Sequence, residues 1–105
     1  MKFLYEDQQG DVIFRRINKI DEKSLTTITS SIIQEGEATG HAHRLTSGDY
    51  SFYSSPNNRR FLRVIKPATI THEEHAPITL EPGEYEIGIV REYDPFEKLI
   101  RSVVD

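Results

Sequence analysis

Cysteine is absent from the 105-residue chain. That excludes a disulfide framework, a thiolate metal site and a cysteine nucleophile, and it fits a reducing cytoplasm. Long apolar runs are missing too, none exceeding four residues, where a membrane helix needs about 20. The N-terminal Met-Lys-Phe-Leu-Tyr-Glu-Asp meets acidic residues too early to read as a secretory signal,. A basic excess is also lacking: the formal net charge is -4 and the pI near 5.5, which argues for solubility and against a protein built chiefly to hold nucleic acid. No Gly-x-Gly-x-x-Gly, Walker-type or Gly-x-Ser-x-Gly pattern occurs, so nucleotide cofactors and a serine elbow are not expected.

What is present is a series of short β-type segments separated by turn signals, with no linker-like stretch and no repeat. One domain over residues 1–105 is expected, burying roughly 60–70% of the surface of its unfolded chain. Residues 11–17, Asp-Val-Ile-Phe-Arg-Arg-Ile, read as a first strand,. Residues 25–34 hold Leu25, Ile28, Ile32 and Ile33 among threonines and serines, a β-branched composition that reads as a second,. Tyr50, Phe52 and Tyr53 stand between two turn signals and suggest a very short strand followed by an exposed loop from Ser54 to Asn58,. From Phe61 to Ile70 the pattern is again strand-like, and Pro67, lacking a donor, marks an edge or bulge,. Pro82-Gly83 suits a turn, and after it Tyr85, Ile87 and Ile89 alternate with Glu84 and Glu86 in the clearest amphipathic strand,. Asp94-Pro95-Phe96-Glu97 opens like a capped helix, although Ser102-Val103-Val104 would also finish as a strand,. The expected fold is an all-β, mainly antiparallel small sandwich or barrel with a short C-terminal helix over one edge.

Against that background the four histidines stand out, paired as His41 with His43 and His72 with His75, each pair beside carboxylates. Imidazole and carboxylate together serve as ligands of zinc and other first-row metals, and as general acids and bases. In a strand, residues two apart share a face about 6.6 Å apart, so His41 and His43 point together, with Leu45 marking the inward side. If residues 68–80 run as one strand, Ala68, Ile70, His72, Glu74, Ala76, Ile78 and Leu80 share the apolar parity. His41, His43, His72 and Glu74 then form the expected inward metal set, with zinc, iron, nickel or manganese as candidate ions. His75 and Glu73 point outward. A bulge near Pro77 reverses this and makes His75 the alternate ligand. The three-residue spacing of His72 and His75 does not match the helical zincin motif, whose histidines are four apart.

Two resemblances follow from these residues. The segment Gly36-Glu37-Ala38-Thr39-Gly40-His41-Ala42-His43, the segment His72-Glu73-Glu74-His75-Ala76-Pro77-Ile78-Thr79-Leu80-Glu81-Pro82-Gly83-Glu84-Tyr85 and the ending Arg91-Glu92-Tyr93 resemble a family of short uncharacterised proteins of bacterial and phage genomes. The likeness runs from Gln9-Gly10-Asp11-Val12 to Val104-Asp105. It implies a shared fold unit and shared histidines, and no reaction. The His-x-His strand, an inward His and Glu, and a Pro-Gly turn resemble parts of a cupin, in which a glutamate usually follows His-x-His and the last histidine comes after the turn. That order is broken here, so the cupin likeness carries over to His41 and His43 alone.

Two functions compete at this point. In the first, a metal-binding β-barrel protein acts on a small molecule through a metal-bound water or an open coordination position, with Glu74 as ligand or base. In the second, a non-catalytic interaction module, oligomeric through strand edges, carries structural histidines. Whether the chain is an enzyme stays open. Side chains more than roughly 8 Å apart, or satisfied by backbone partners, would favour the second. Arg59, Arg60 and Arg63 near Tyr50, Phe52 and Tyr53 could form a small patch for single-stranded nucleic acid, but a solvated turn accounts for them more simply in an acidic chain.

Overall fold

A computed structural model describes residues 5–20, 23–36 and 40–90. Eight strands pair antiparallel: β1 (Tyr5–Gln9), β2 (Val12–Ile17), β3 (Thr26–Ile28), β4 (Ile32–Glu35), β5 (Ala42–Ser54), β6 (Arg60–Thr71), β7 (Ile78–Leu80) and β8 (Gly83–Ile89). The order β1-β2-β8-β6-β5-β3 is open, with β4 added on β5 and β7 on β6. The all-β, antiparallel expectation is met, and the open order makes it a small sandwich-like fold where a closed barrel was the alternative. Among the described residues there is no helix, hence none long and apolar enough to cross a membrane. The helix expected after Asp94 lies outside the described residues.

The long strands β5 and β6 organise the architecture. Their register shifts between Leu45 and Ser47, between Ser47 and Asp49, and between Asp49 and Tyr50, opposite the stretch of β6 that carries Pro67. A proline cannot donate to the ladder, and extra residues on one strand bend it. The bend divides the hairpin. Its near half joins β3 and β8, and through β8 reaches β2 and β1. Its far half joins β4 and β7. Val12, Phe14, Phe52, Leu62, Val64, Tyr85 and Ile87 from the first half pack with Ile33, Leu45, Ala68, Ile70 and Leu80 from the second in one core. Full burial of each large side chain contributes about 1.5–3 kcal/mol. Tyr85 is fully buried because its hydroxyl donates to the Glu81 carbonyl at 2.7 Å. On the opposite face of the first half, Ile17, Ile20 and Phe61 form a smaller cluster with Leu25 and Tyr53.

Several expectations change in detail. Residues 25–34 form two strands, β3 and β4, broken by Thr29-Ser30-Ser31. The short strand expected around Tyr50 is the end of the thirteen-residue β5. The strand expected through 68–80 stops at Thr71, and residues 72–77 are a loop before β7. This last difference decides the site, because period-two parity does not carry across a loop.

Candidate functional site

All four histidines meet at one corner of the sandwich. His43 lies in β5, His41 just before it, and His72 and His75 in the loop that follows β6. Antiparallel pairing brings them together: Arg44 stands opposite Thr71, so one step further out His43 faces His72. Their ring centroids are 4.4 Å apart, those of His72 and His75 4.7 Å, those of His41 and His72 5.7 Å, and those of His43 and His75 6.2 Å in a near-parallel stack. His75 therefore joins the cluster rather than facing away. The loop turns its ring toward the other imidazoles, while the residue stays exposed.

The β1–β2 turn forms the other wall. Gly10 has a φ of 58°, the positive value that a two-residue hairpin turn requires at its first central position. It also lies flat against His75, where a Cβ would come within 2.7 Å of Nε2. Gln9, only 2% exposed, donates its Nε2 hydrogens to the carbonyls of Ile70 and Ala76 at 2.9 and 3.0 Å. Two carbonyl acceptors fix the orientation of the amide. Its Oε1, 2.8 Å from His43 Nδ1, is consequently the acceptor, and Nδ1 carries the proton. The other ring nitrogen, His43 Nε2, stands 3.4 Å from Asp11 Oδ1. Burial of the ring, and next the neighbouring His72, lower the pKa of His43, while Asp11 opposes them.

The two loop glutamates take different roles. Glu73 ties the loop to β5 by accepting the Ala42 N–H at 2.7 Å and pairing with the Arg44 guanidinium. These contacts, the Ala42 N–H first, lower its carboxyl from 4.5 to about 2. Glu74, expected to face inward, instead has a side chain 70% exposed, 3.8 Å from His41 Nδ1 at the rim. Its backbone N–H donates to His72 Nδ1 at 3.0 Å. That bond turns one nitrogen of His72 away from the centre. Among the described residues no three His, Asp or Glu side chains are set, as the rings stand, to hold one metal ion together.

Arg59, Arg60 and Arg63 make no open cationic patch. Arg59 pairs through two nitrogens with Glu86 and lies over Phe61, Arg63 pairs with Glu84 and lies over Tyr53, and Arg60 turns inward to the Ile33 carbonyl and Gln34 Oε1. Two of these three guanidinium groups are thus matched by glutamates.

Of the residues singled out from sequence, His41, His43, His72 and His75 come together, and Glu74 sits beside them on the outside. Gln9 and Asp11 were not foreseen. The only local sign was the turn-like Gln9-Gly10-Asp11, and nothing in it pointed toward a histidine 34 residues along the chain.

A family model described as domain of unknown function (DUF8820) matches residues 8–90, a span that includes both histidine pairs and the β1–β2 turn. No curated protein and no solved structure matches the chain.

Proposed function

We propose that this chain, which belongs to the DUF8820 family, binds a divalent transition metal at the histidine corner, with His43, His72 and His75 as nitrogen donors and His41 with Glu74 at the rim. The carrying observation is the proximity of four imidazoles drawn from two distant segments, with adjacent ring centroids 4.4–6.2 Å apart. The site would form by rotation of side chains that brings neighbouring nitrogens toward one ion. His72 must release the Glu74 N–H, an exposed hydrogen bond worth about 0.5–1.5 kcal/mol net. Structural zinc sites supply apparent binding free energies of about 10–16 kcal/mol. The hydrogen bond that His72 gives up is small beside binding energies of that kind. Imidazole ligands suit zinc, iron and nickel, and manganese is the hardest ion of the candidate set.

A site with three protein nitrogens keeps a coordination position for water or a small-molecule ligand. Exposed and close to the cluster, Glu74 is the carboxylate best placed to act there as a base. Against this stands a structural role for the histidines in an interaction module, favoured by the partners already held by Nδ1 of His43 and His72. Elemental analysis of untagged protein purified without chelator, followed by calorimetric titration with Zn²⁺, separates the two. One equivalent per chain, lost in both His72→Ala and His75→Ala, is expected. Substoichiometric metal that neither substitution alters would overturn the metal reading and leave the structural one.

A further inference from the structure

Among the described residues Arg15, Arg44, Arg59 and Arg63 each pair with a glutamate. Arg60 pairs with none. Its guanidinium donates through Nη1 to the Ile33 carbonyl and through Nη2 to Gln34 Oε1 at 3.1 Å, both neutral acceptors in a partly buried setting. Arg16 likewise donates to a carbonyl, that of Pro82, but does so at the exposed surface. Burial alone lowers the pKa of Arg60, whereas the bond to Glu86 raises that of Arg59.

The strands account for this placement. Phe61 faces the smaller cluster and Leu62 the main core, so period-two geometry directs Arg60 inward with Leu62. Across from it, β4 pairs Ile32 with Arg44 and Gln34 with His43, and the register shifts between them. Ile33, the extra residue of that bulge, has no partner in the ladder, which leaves its carbonyl to Arg60. A guanidinium carries five N–H donors. Two are taken among the described residues, leaving Nε–H and an adjacent Nη hydrogen as the fork that a carboxylate accepts through both oxygens,. A partly buried cation without a counter-charge is costly, and an anionic ligand relieves that cost.

We propose that Arg60, held by the β4 bulge and Gln34, binds the carboxylate of a small-molecule ligand between β4 and β6. One unmatched guanidinium balances a single negative charge, so a carboxylate fits better than a phosphate dianion in a chain of net charge -4. Gln34 stands opposite His43, and residues so paired share a face of the ladder. A carboxylate on Arg60 therefore lies on the side that carries His43, next to the histidine corner. Binding there requires no metal.

The chelator-treated full chain is titrated with sodium acetate, sodium phosphate and sodium chloride at matched ionic strength, and the arginine Nε–H signals are followed by nitrogen NMR. The Arg60 signal should shift saturably with acetate and stay in place with chloride, while those of Arg59 and Arg63, held by Glu86 and Glu84, stay unmoved. In Arg60→Gln, which keeps a donor for the Ile33 carbonyl, acetate affinity read from the backbone signals of Ile33 and Gln34 should fall by roughly tenfold or more, the factor for loss of one charge-assisted hydrogen bond. An Arg60 signal indifferent to acetate in the unsubstituted chain overturns the proposal and reduces the side chain to a strap between β4 and β6. Phosphate binding at least as tight as acetate overturns the carboxylate assignment. Since the titration is done without metal, its failure leaves the metal reading standing, and failure to bind Zn²⁺ leaves the Arg60 site standing.

Discussion

Gly10 meets two demands that no other residue meets, a φ of 58° and contact with His75 at a distance a Cβ would violate. The left-handed backbone alone costs a residue with a side chain about 1–2 kcal/mol. Gly10→Ala should therefore lower stability in urea by at least that amount, and should also displace His75 and weaken Zn²⁺ binding. Glu73 makes a second prediction. Its folded pKa of about 2 lies below the ordinary 4.5, so folding favours the ionised form. Its contribution is complete above about 4.5 and is lost as pH falls toward 2. Denaturation midpoints measured across that window should drop with acid in the unsubstituted chain. In Glu73→Gln the drop should be shallower. Gly10 was legible as part of a turn but not as the neighbour of His75, and Glu73 differs from Glu74 only through Arg44 and Ala42 of another strand.

Strands with one buried face announced themselves. In β8 the alternation of Tyr85, Ile87 and Ile89 with Glu84 and Glu86 became the core face and the arginine-paired face. Phe14, fully buried in β2, should cost about 3–5 kcal/mol when replaced by alanine, measured by chemical denaturation. The β5–β6 hairpin was less legible. Ser47, Gly48 and Asp49 read as a turn signal but lie in a bulged stretch inside a strand. Gly48 there has a φ of 103°, and a Cβ would lie 2.5 Å from the Pro67 carbonyl oxygen. Gly48→Ala should accordingly destabilise the protein more than Gly40→Ala, whose Cβ meets nothing within 4 Å. Comparing the two thermal midpoints tests whether the bend between Gly48 and Pro67 is a specified feature of the hairpin.

Metal binding at a corner where the β1–β2 turn, the start of β5 and the loop after β6 meet ties three parts of the chain together. A ligand that binds only the folded form at 100 times its Kd stabilises it by about 2.7 kcal/mol. For a domain near this size that raises Tm by roughly 10–20 °C. Scanning calorimetry with Zn²⁺ should show this rise, chelator should reverse it, and His72→Ala should reduce it. A Tm indifferent to metal would contradict the proposed site.

The amino-acid sequence by itself determined the β class, the absence of disulfides and the presence of two histidine pairs, since alternation, β-branching and residue type are local properties. Tertiary structure decided which imidazoles meet and which carboxylate faces them. His75 joined because β6 ends at Thr71, Glu74 stayed outside for the same reason, and Gln9 with Asp11 arrived from a turn at the other end of the sheet. Those contacts span 34 residues between Gln9 and His43 and 61 between Gln9 and Ile70. Period-two reasoning within a segment has no access to them, because they follow from where strands end and pair.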